Sequence, residues 1–458
     1  MLENRMSMKE ERKNFGSKLG VIMAAAGSAV GLGNVWRFPT EVGRNGGAAF
    51  ILVYLLCVLL IGAPLMLSEF VVGRSTHANP IKAYSKLAPG SWWRVVGVEG
   101  VVVAFLILSF YVIVSGWTLY YTVQSFAGAL MESRDYKAFF SDFTGDAWMP
   151  VLYGIMLMLL VHVVIVRGVQ NGIEKFSKVM MPLLLAIIMV LAACSFRLPG
   201  FGQGMAYLLK PDFSKITTDV LLSAMGQAFF SLSLAMGCLC AYASYFDSGT
   251  RLQRTVFSVS VIDTLVAVMS GFIIFPAVFS VQGLQPNEGA GLVFITLPSV
   301  FNMVFGGAPF LGYLFSGMFY MLLLLAALTS AMSLHEPVTA YLHESFGLTR
   351  HKAATLVSLS CMSLGVVCSL SCGIWSGYTF FGLTFFDFLD FLTAKIIMPV
   401  GGLLICIFVG WVLDRKLVRD EVTNGGKAHT CLFPIYMFLI RYVVPIAICV
   451  IFFNELLR

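Results

Sequence analysis

Charged residues that stand in or at the ends of long apolar runs include Arg37, Glu69, Asp263 and Asp390. An ionised group at the centre of a bilayer costs at least about 2.5–3.5 kcal/mol, so such residues are paired or functional by default. Asp263 lies in Val259-Ser260-Val261-Ile262-Asp263-Thr264-Leu265, too deep for simple snorkelling. The apolar run 18–42 holds Gly27, Gly31 and Gly33, followed by Asn34, where a helix should be continuous. Glycine costs about 1 kcal/mol against alanine in a helix interior, so the cluster predicts unwinding. The run 219–246 reads Gly226-Gln227-Ala228-Phe229-Phe230-Ser231-Leu232-Ser233-Leu234-Ala235-Met236-Gly237, again with small and hydroxyl residues in its middle. Unwound backbone offers carbonyl oxygens to a cation, and half-helix N-termini offer positive dipole ends to an anion. The chemistry on offer is ion and ligand binding. The alternative use of the glycines is close helix packing.

The elements that hold these residues are set by composition. The 458 residues are 58% hydrophobic, 14% aromatic and 12% charged, against roughly 25% charged in soluble domains. Mean hydropathy is +0.86. No soluble core of this length absorbs so much apolar surface, which excludes a soluble enzyme, a nucleic-acid-binding protein and a disordered regulator. The net charge of +6 is small for this length. Ten cysteines are scattered without a C-x-x-C pair and read as buried thiols. The six histidines form no zinc pattern, because His335-Glu336 lacks the second histidine of H-E-x-x-H, and no N-x-S/T sequon occurs. No small-residue cleavage site closes the first apolar run, so an uncleaved signal-anchor is expected.

At about 20 apolar residues per crossing, eleven spans fall near 18–42, 48–72, 96–128, 149–167, 179–196, 219–246, 255–281, 310–342, 353–371, 386–413 and 433–453. Lysine and arginine favour one set of connecting segments by two to one, which puts the N-terminus in the cytoplasm. Spans 1 and 6 open two five-span halves, with span 11 left over. Interruptions at equivalent places in two halves point to a transporter built from inverted repeats. The expected organisation is an all-α integral membrane protein: a cytoplasmic tail over 1–17, repeats over 18–196 and 219–413, and an eleventh helix over 433–453.

Gly27 to Pro39, reading G-S-A-V-G-L-G-N-V-W-R-F-P, with Asn45-Gly46-Gly47 after it, resembles the first-span signature of the neurotransmitter:sodium symporters, most closely the bacterial amino-acid branch. G-Q-A-F-F-S-L-S at 226–233, Tyr242-Ala243-Ser244-Tyr245, Leu328-Thr329-Ser330 and Arg441-Tyr442 before Pro445 extend the likeness over nearly the whole chain.

The resemblance implies two sodium sites. The first would use the Ala29 carbonyl, Asn34, Ser231, Asp263 and the substrate carboxylate. The second would use the carbonyls of Gly27, Val30 and Ala326 with the hydroxyls of Thr329 and Ser330, oxygen ligands that suit a small hard cation. Ordinary hydroxyl back-bonding within the helix is the other reading of Thr329 and Ser330. The substrate carboxylate would lie near Ser28, Gly31 and Gly33 and accept from Tyr111. Monoamine carriers that resemble this chain place an aspartate at the position of Gly31, so glycine favours an amino acid over an amine. Ile107, Tyr111, Phe230, Ser233, Met236 and Leu334 would line a pocket for a neutral, hydrophobic side chain. Many relatives carry asparagine at Asp263, and animal members bind chloride nearby. A fixed carboxylate there, with Ala267 one turn on, implies transport without chloride, and proton uptake by Asp263 is a further option.

Outside, the resemblance implies that Arg37 pairs with Asp390, or with the rival Asp387, above a lid of Tyr111 and Phe230. Inside, Arg12 would pair with Glu344 near Tyr245, unless Arg12 is a simple positive-inside charge. Glu69 would hydrogen-bond the unwound backbone of span 6. The expected function is sodium-coupled import of a neutral amino acid across a bacterial inner membrane, and not an enzymatic reaction. A carrier of an osmolyte or amine and a transporter-like sensor are the alternatives.

Overall fold

The computed structural model describes residues 14–133, 135–281, 291–305, 309–428 and 430–457. Arg12 and most of the tail lie outside the described residues. The fold is helical; among the described residues the β pairing is one isolated bridge, Phe380 to Leu383. Among the described residues nine helices are long and apolar enough to cross a membrane: Ala48–Thr76, Arg94–Phe126, Met149–Val166, Val169–Ser195, Leu252–Phe279, Phe310–Phe346, Arg350–Cys372, Phe385–Val412 and Leu432–Asn454. A tenth crossing is bent by 54° between Lys18–Ala29 and Gly33–Arg44. The remaining expected span is two pieces, Thr218–Ser231 and Cys238–Ala243. Every apolar run of the sequence therefore has its counterpart, and the two interrupted ones are spans 1 and 6.

Local chemistry explains the ends. Ser17, Thr217 and Thr349 cap their helices, each side chain accepting from a backbone N–H of the first turn. Four spans and the short helix Leu292–Phe305 contain a π-helical stretch immediately before an X-Pro step, at Pro39, Pro64, Pro399 and Pro445 in the spans and Pro298 in the short helix. Proline lacks an N–H and clashes with the carbonyl four residues back, and widening that turn is the accommodation.

Burial is sorted by membrane logic. The broken segments lie in the centre, where Asn34, Gln227 and Asp263 are fully buried. The outer surface is apolar, with Leu59 63% and Phe257 69% exposed, as a lipid-facing surface should be. Short helices that the span count omitted connect the crossings, among them Pro80–Leu87, Phe201–Leu209 and Leu292–Phe305.

Candidate functional site

Span 1 leaves its helix at Val30, which is extended (φ −70, ψ 110), and resumes at Gly33. Span 6 unwinds over 232–237, where Ser233, Ala235 and Gly237 take left-handed backbone at φ 53, 57 and 69. Only Gly237 does so without steric cost. Backbone groups freed in a dry interior must find other partners; side chains of span 6 supply them to span 1, and Glu69 of span 2 supplies one to span 6. Ser233 Oγ donates to the Ser28 carbonyl at 2.9 Å, and Gln227 Nε2 donates to the Gly33 carbonyl at 3.2 Å. Ala235 N–H donates to Glu69 Oε1 at 2.7 Å, the role expected of Glu69.

A polar knot sits where the breaks cross. Asn34 Nδ2 donates to Asp263 Oδ1 at 2.7 Å, to Ser231 Oγ at 3.1 Å and to the Asp263 carbonyl at 3.1 Å. Ser231 Oγ donates to Asp263 Oδ2 at 2.9 Å, and the Tyr54 hydroxyl reaches the same oxygen at 3.3 Å. Asn34 Oδ1 accepts from Gly31 N–H at 3.0 Å. Asp263 is fully buried, and among the described residues no lysine or arginine pairs with it. Every donor to its carboxyl group is a neutral side chain.

The second set of oxygens lies between spans 1 and 8. Ser330 Oγ donates to the Val30 carbonyl at 3.1 Å. Thr329 Oγ1 donates to the carbonyls of Ala326, at 3.0 Å, and Leu325, at 3.1 Å, the ordinary helical back-bond. Gly27 packs against Thr329, where an added Cβ would fall 3.3 Å from the Thr329 Cβ. Gly31 is tighter: a Cβ would meet Ser330 Oγ at 2.5 Å and the Tyr111 hydroxyl at 3.3 Å. The Tyr111 hydroxyl accepts from Leu32 N–H at 3.4 Å, and the Phe230 ring lies 3.1 Å from a Cβ built on Gly33. Ala29, Ile107, Met236 and Leu334 are buried in the same core, and Ser28 Oγ is buried without a hydrogen-bond partner among the described residues. Among the described residues no group of three or more His, Cys, Asp or Glu could hold a metal, so any cation here meets carbonyls, hydroxyls, one amide and one carboxylate.

At one mouth of this region Arg37 and Asp390 line a common cavity of about 80 Å³ with Phe230 and Lys395. They form no ion pair; the Arg37 guanidinium instead lies over the Phe230 ring, 4.6 Å from its centroid. The rival Asp387 is taken up by a helix cap, accepting from Thr384 Oγ1 at 2.7 Å. At the other mouth Glu344 accepts from Asn79 N–H at 3.0 Å and Asn79 Nδ2 at 2.8 Å. Tyr245 donates to Glu336 Oε1 at 2.7 Å, and Arg350 clamps both oxygens of Glu336 at 3.1 and 2.5 Å.

Sequence reasoning missed Tyr54, Glu336 and Arg350. Glu336 carried a signal, an acid inside the apolar run 310–342, but it was weighed only as half of a zinc motif.

A model of the sodium:neurotransmitter symporter family matches residues 12–141 and 140–458. The sodium-dependent transporter YhdH of Bacillus subtilis (strain 168) is 39% identical over 98% of each chain. A sodium-dependent transporter of Haemophilus influenzae is 33% identical over 98% of this chain and 99% of its own. The crystal structure of MhsT in complex with L-phenylalanine matches with a TM-score of 0.89 and 39% identity, covering 97% of this chain and all of the other. The fold, the multi-pass membrane architecture and the transport role follow, and the chain belongs to the sodium:neurotransmitter symporter family.

Proposed function

We propose that the chain uses inward sodium movement to accumulate a neutral, hydrophobic amino acid, by alternating access and without chloride. The observation that carries the reading is Asp263: a buried carboxyl group at the crossing of two broken helices, hydrogen-bonded only by neutral groups. A charge so placed is tolerated only with a compensating cation. One sodium ion sits there, held by Asp263, Asn34, Ser231, the Ala29 carbonyl and the carboxylate of the substrate. To coordinate it, Asn34 turns its amide oxygen from Gly31 N–H toward the ion. A second ion sits between spans 1 and 8, where the Thr329 and Ser330 hydroxyls exchange their carbonyl hydrogen bonds for it and share the Gly27, Val30 and Ala326 oxygens.

The substrate carboxylate lies against Ser28, Gly31 and Gly33 and accepts from Tyr111. The unpartnered Ser28 hydroxyl and the absence of a side chain at Gly31 favour this placement. Ile107, Phe230, Ser233, Met236 and Leu334 offer no charge to a substrate side chain, and L-phenylalanine bound to the structural neighbour supports a hydrophobic one. Asp263 supplies the negative charge that chloride would otherwise bring. Arg37 and Asp390, which share one cavity, close over the bound substrate with Phe230 and Tyr111. Glu344 and Tyr245 hold the opposite mouth, with Arg12 as a further partner. The Lys/Arg bias orients the N-terminus to the cytoplasm of a bacterial inner membrane. Each charge that crosses inward gains about 2.3 kcal/mol per 100 mV, so one or two ions drive substantial accumulation.

The test is binding of a panel of radiolabelled neutral amino acids to purified protein, with sodium replaced by potassium in parallel. Sodium-dependent binding of a hydrophobic member is expected. Binding indifferent to sodium would overturn the coupling.

A further inference from the structure

Two more carboxyl groups lie inside the bundle, away from both sets of cation-facing oxygens. Glu69, on span 2, accepts from Ala235 N–H, and the Cys240 backbone also faces its carboxyl group, whose buried Oε2 makes no close hydrogen bond among the described residues. Glu99, on span 3, has both oxygens buried without a hydrogen-bond partner among the described residues. Its carboxyl group lies on the bare Cα of Gly401 in span 10, in the space that any side chain there would occupy. Glu99 and Glu69 are electrostatic neighbours, and Tyr84 of the helix Pro80–Leu87, Cys238 and Cys240 of span 6 and Cys406 of span 10 complete the titratable surroundings among the described residues. None of these is a cation.

Among the described residues the donors to Glu69 are backbone groups of span 6, at Ala235 and Cys240, and no donor serves Glu99. An ionised carboxylate withdrawn from water costs several kcal/mol unless it is paired, and two carboxylates that share one dry site do not both ionise. Depth agrees between the two. At 1.5 Å per residue, Glu99 is about 7.5 Å from the start of its helix at Arg94 and Glu69 about 10 Å from the end of its own at Thr76, both ends on the Lys/Arg-rich face.

We propose that Glu69 and Glu99 form a proton-binding site, separate from the sodium sites, that holds one proton and seats the unwound segment of span 6. Both acids act on that segment. Glu69 holds its middle residue, Ala235, and Gly100, next to Glu99, packs backbone to backbone on its last residue, where an added Cβ would fall 3.0 Å from the N and Cα of Gly237. Removing the proton sets two like charges against each other across these contacts and loosens the seat. Restoring it from the cytoplasmic face tightens it again.

The test is infrared difference spectroscopy of lipid-reconstituted protein at neutral pH, combined with pH profiles of sodium-dependent amino-acid binding. The wild type is expected to show a carboxylic-acid carbonyl band that Glu99→Gln removes and Glu99→Asp retains. The pH profile of Glu99→Gln is expected to lose one titration step present in the wild type and in Glu99→Asp. Asp263 is intact in all three proteins, so the difference isolates Glu99. A band that survives in the double variant Glu69→Gln/Glu99→Gln, or a profile unchanged by Glu99→Gln, would overturn the proposal. If sodium-dependent binding is absent altogether, the infrared band still decides the matter, because it needs no bound substrate.

Discussion

Gly31→Ala is the sharpest perturbation that the geometry offers. The backbone at Gly31 is one that any residue adopts, so alanine brings no conformational strain. Its Cβ would arrive 2.5 Å from Ser330 Oγ, 3.3 Å from the Ser330 Cβ and 3.3 Å from the Tyr111 hydroxyl. The serine hydroxyl must rotate away, which breaks its bond to the Val30 carbonyl at 3.1 Å. Losing one such bond costs about 1 kcal/mol, and an added methyl in a packed core costs about 1–3 kcal/mol. Since the displaced group is a proposed sodium ligand and the volume is the proposed carboxylate seat, the loss should fall on binding: about 1–3 kcal/mol, or about 5–150-fold in affinity. Equilibrium binding of the radiolabelled amino acid, titrated with sodium, reads it. Gly33→Ala should cost less, because its Cβ meets only a Phe230 ring edge at 3.1 Å, and Gly226→Ala, with nothing within 4 Å, should be neutral. Equal sodium and substrate affinities in Gly31→Ala and Gly226→Ala would refute the placement of the site.

Asp263→Asn should convert chloride-independent uptake into uptake that requires chloride; a variant that transports equally with and without chloride removes the argument from fixed charge. Tyr111→Phe should weaken substrate binding by about 1.5–3 kcal/mol, the worth of a hydrogen bond to a charged group, with its folding intact by thermal melt. Glu336→Gln should destabilise the protein by about 1–3 kcal/mol, because it takes the carboxylate partner from a half-buried arginine. Glu336→Gln/Arg350→Met should recover much of that loss, as detergent melting curves can measure.

The crossings were legible because each is a long apolar run, though their ends moved. The run expected to begin at 96 begins at Arg94, and the one expected to end at 72 continues to Thr76. The interruption of span 6 was expected anywhere across 226–237, yet helix persists to Ser231, since Gly226 faces open space and forces nothing. The site was legible only in part. Asn34 and Asp263 touch across 229 residues of sequence, and no periodicity encodes such a contact. The first-span motif led to them through the family alone. Tyr54 was invisible, because in Phe50-Ile51-Leu52-Val53-Tyr54-Leu55-Leu56 a tyrosine reads as one more apolar residue until its hydroxyl is seen on Asp263. Glu99 stands five residues after Arg94 near a helix start, where acids are common and attract no notice.

The break in span 6 also bears on how the chain enters the membrane during synthesis. Its helical pieces, Thr218–Ser231 and Cys238–Ala243, are 14 and 6 residues long, both short of the length that crosses a bilayer alone. In the linker between them, Ala235 N–H is satisfied by Glu69 and the Ser233 hydroxyl donates to the Ser28 carbonyl of span 1, and those partners belong to segments made earlier. As it emerges from the ribosome, span 6 is thus a poor insertion signal. It must be carried in by its flanking helices, Val169–Ser195 and Leu252–Phe279, and completed by docking onto spans 1 and 2. The order of translation, with the first half-repeat ahead of the second, is the order in which those partners are needed.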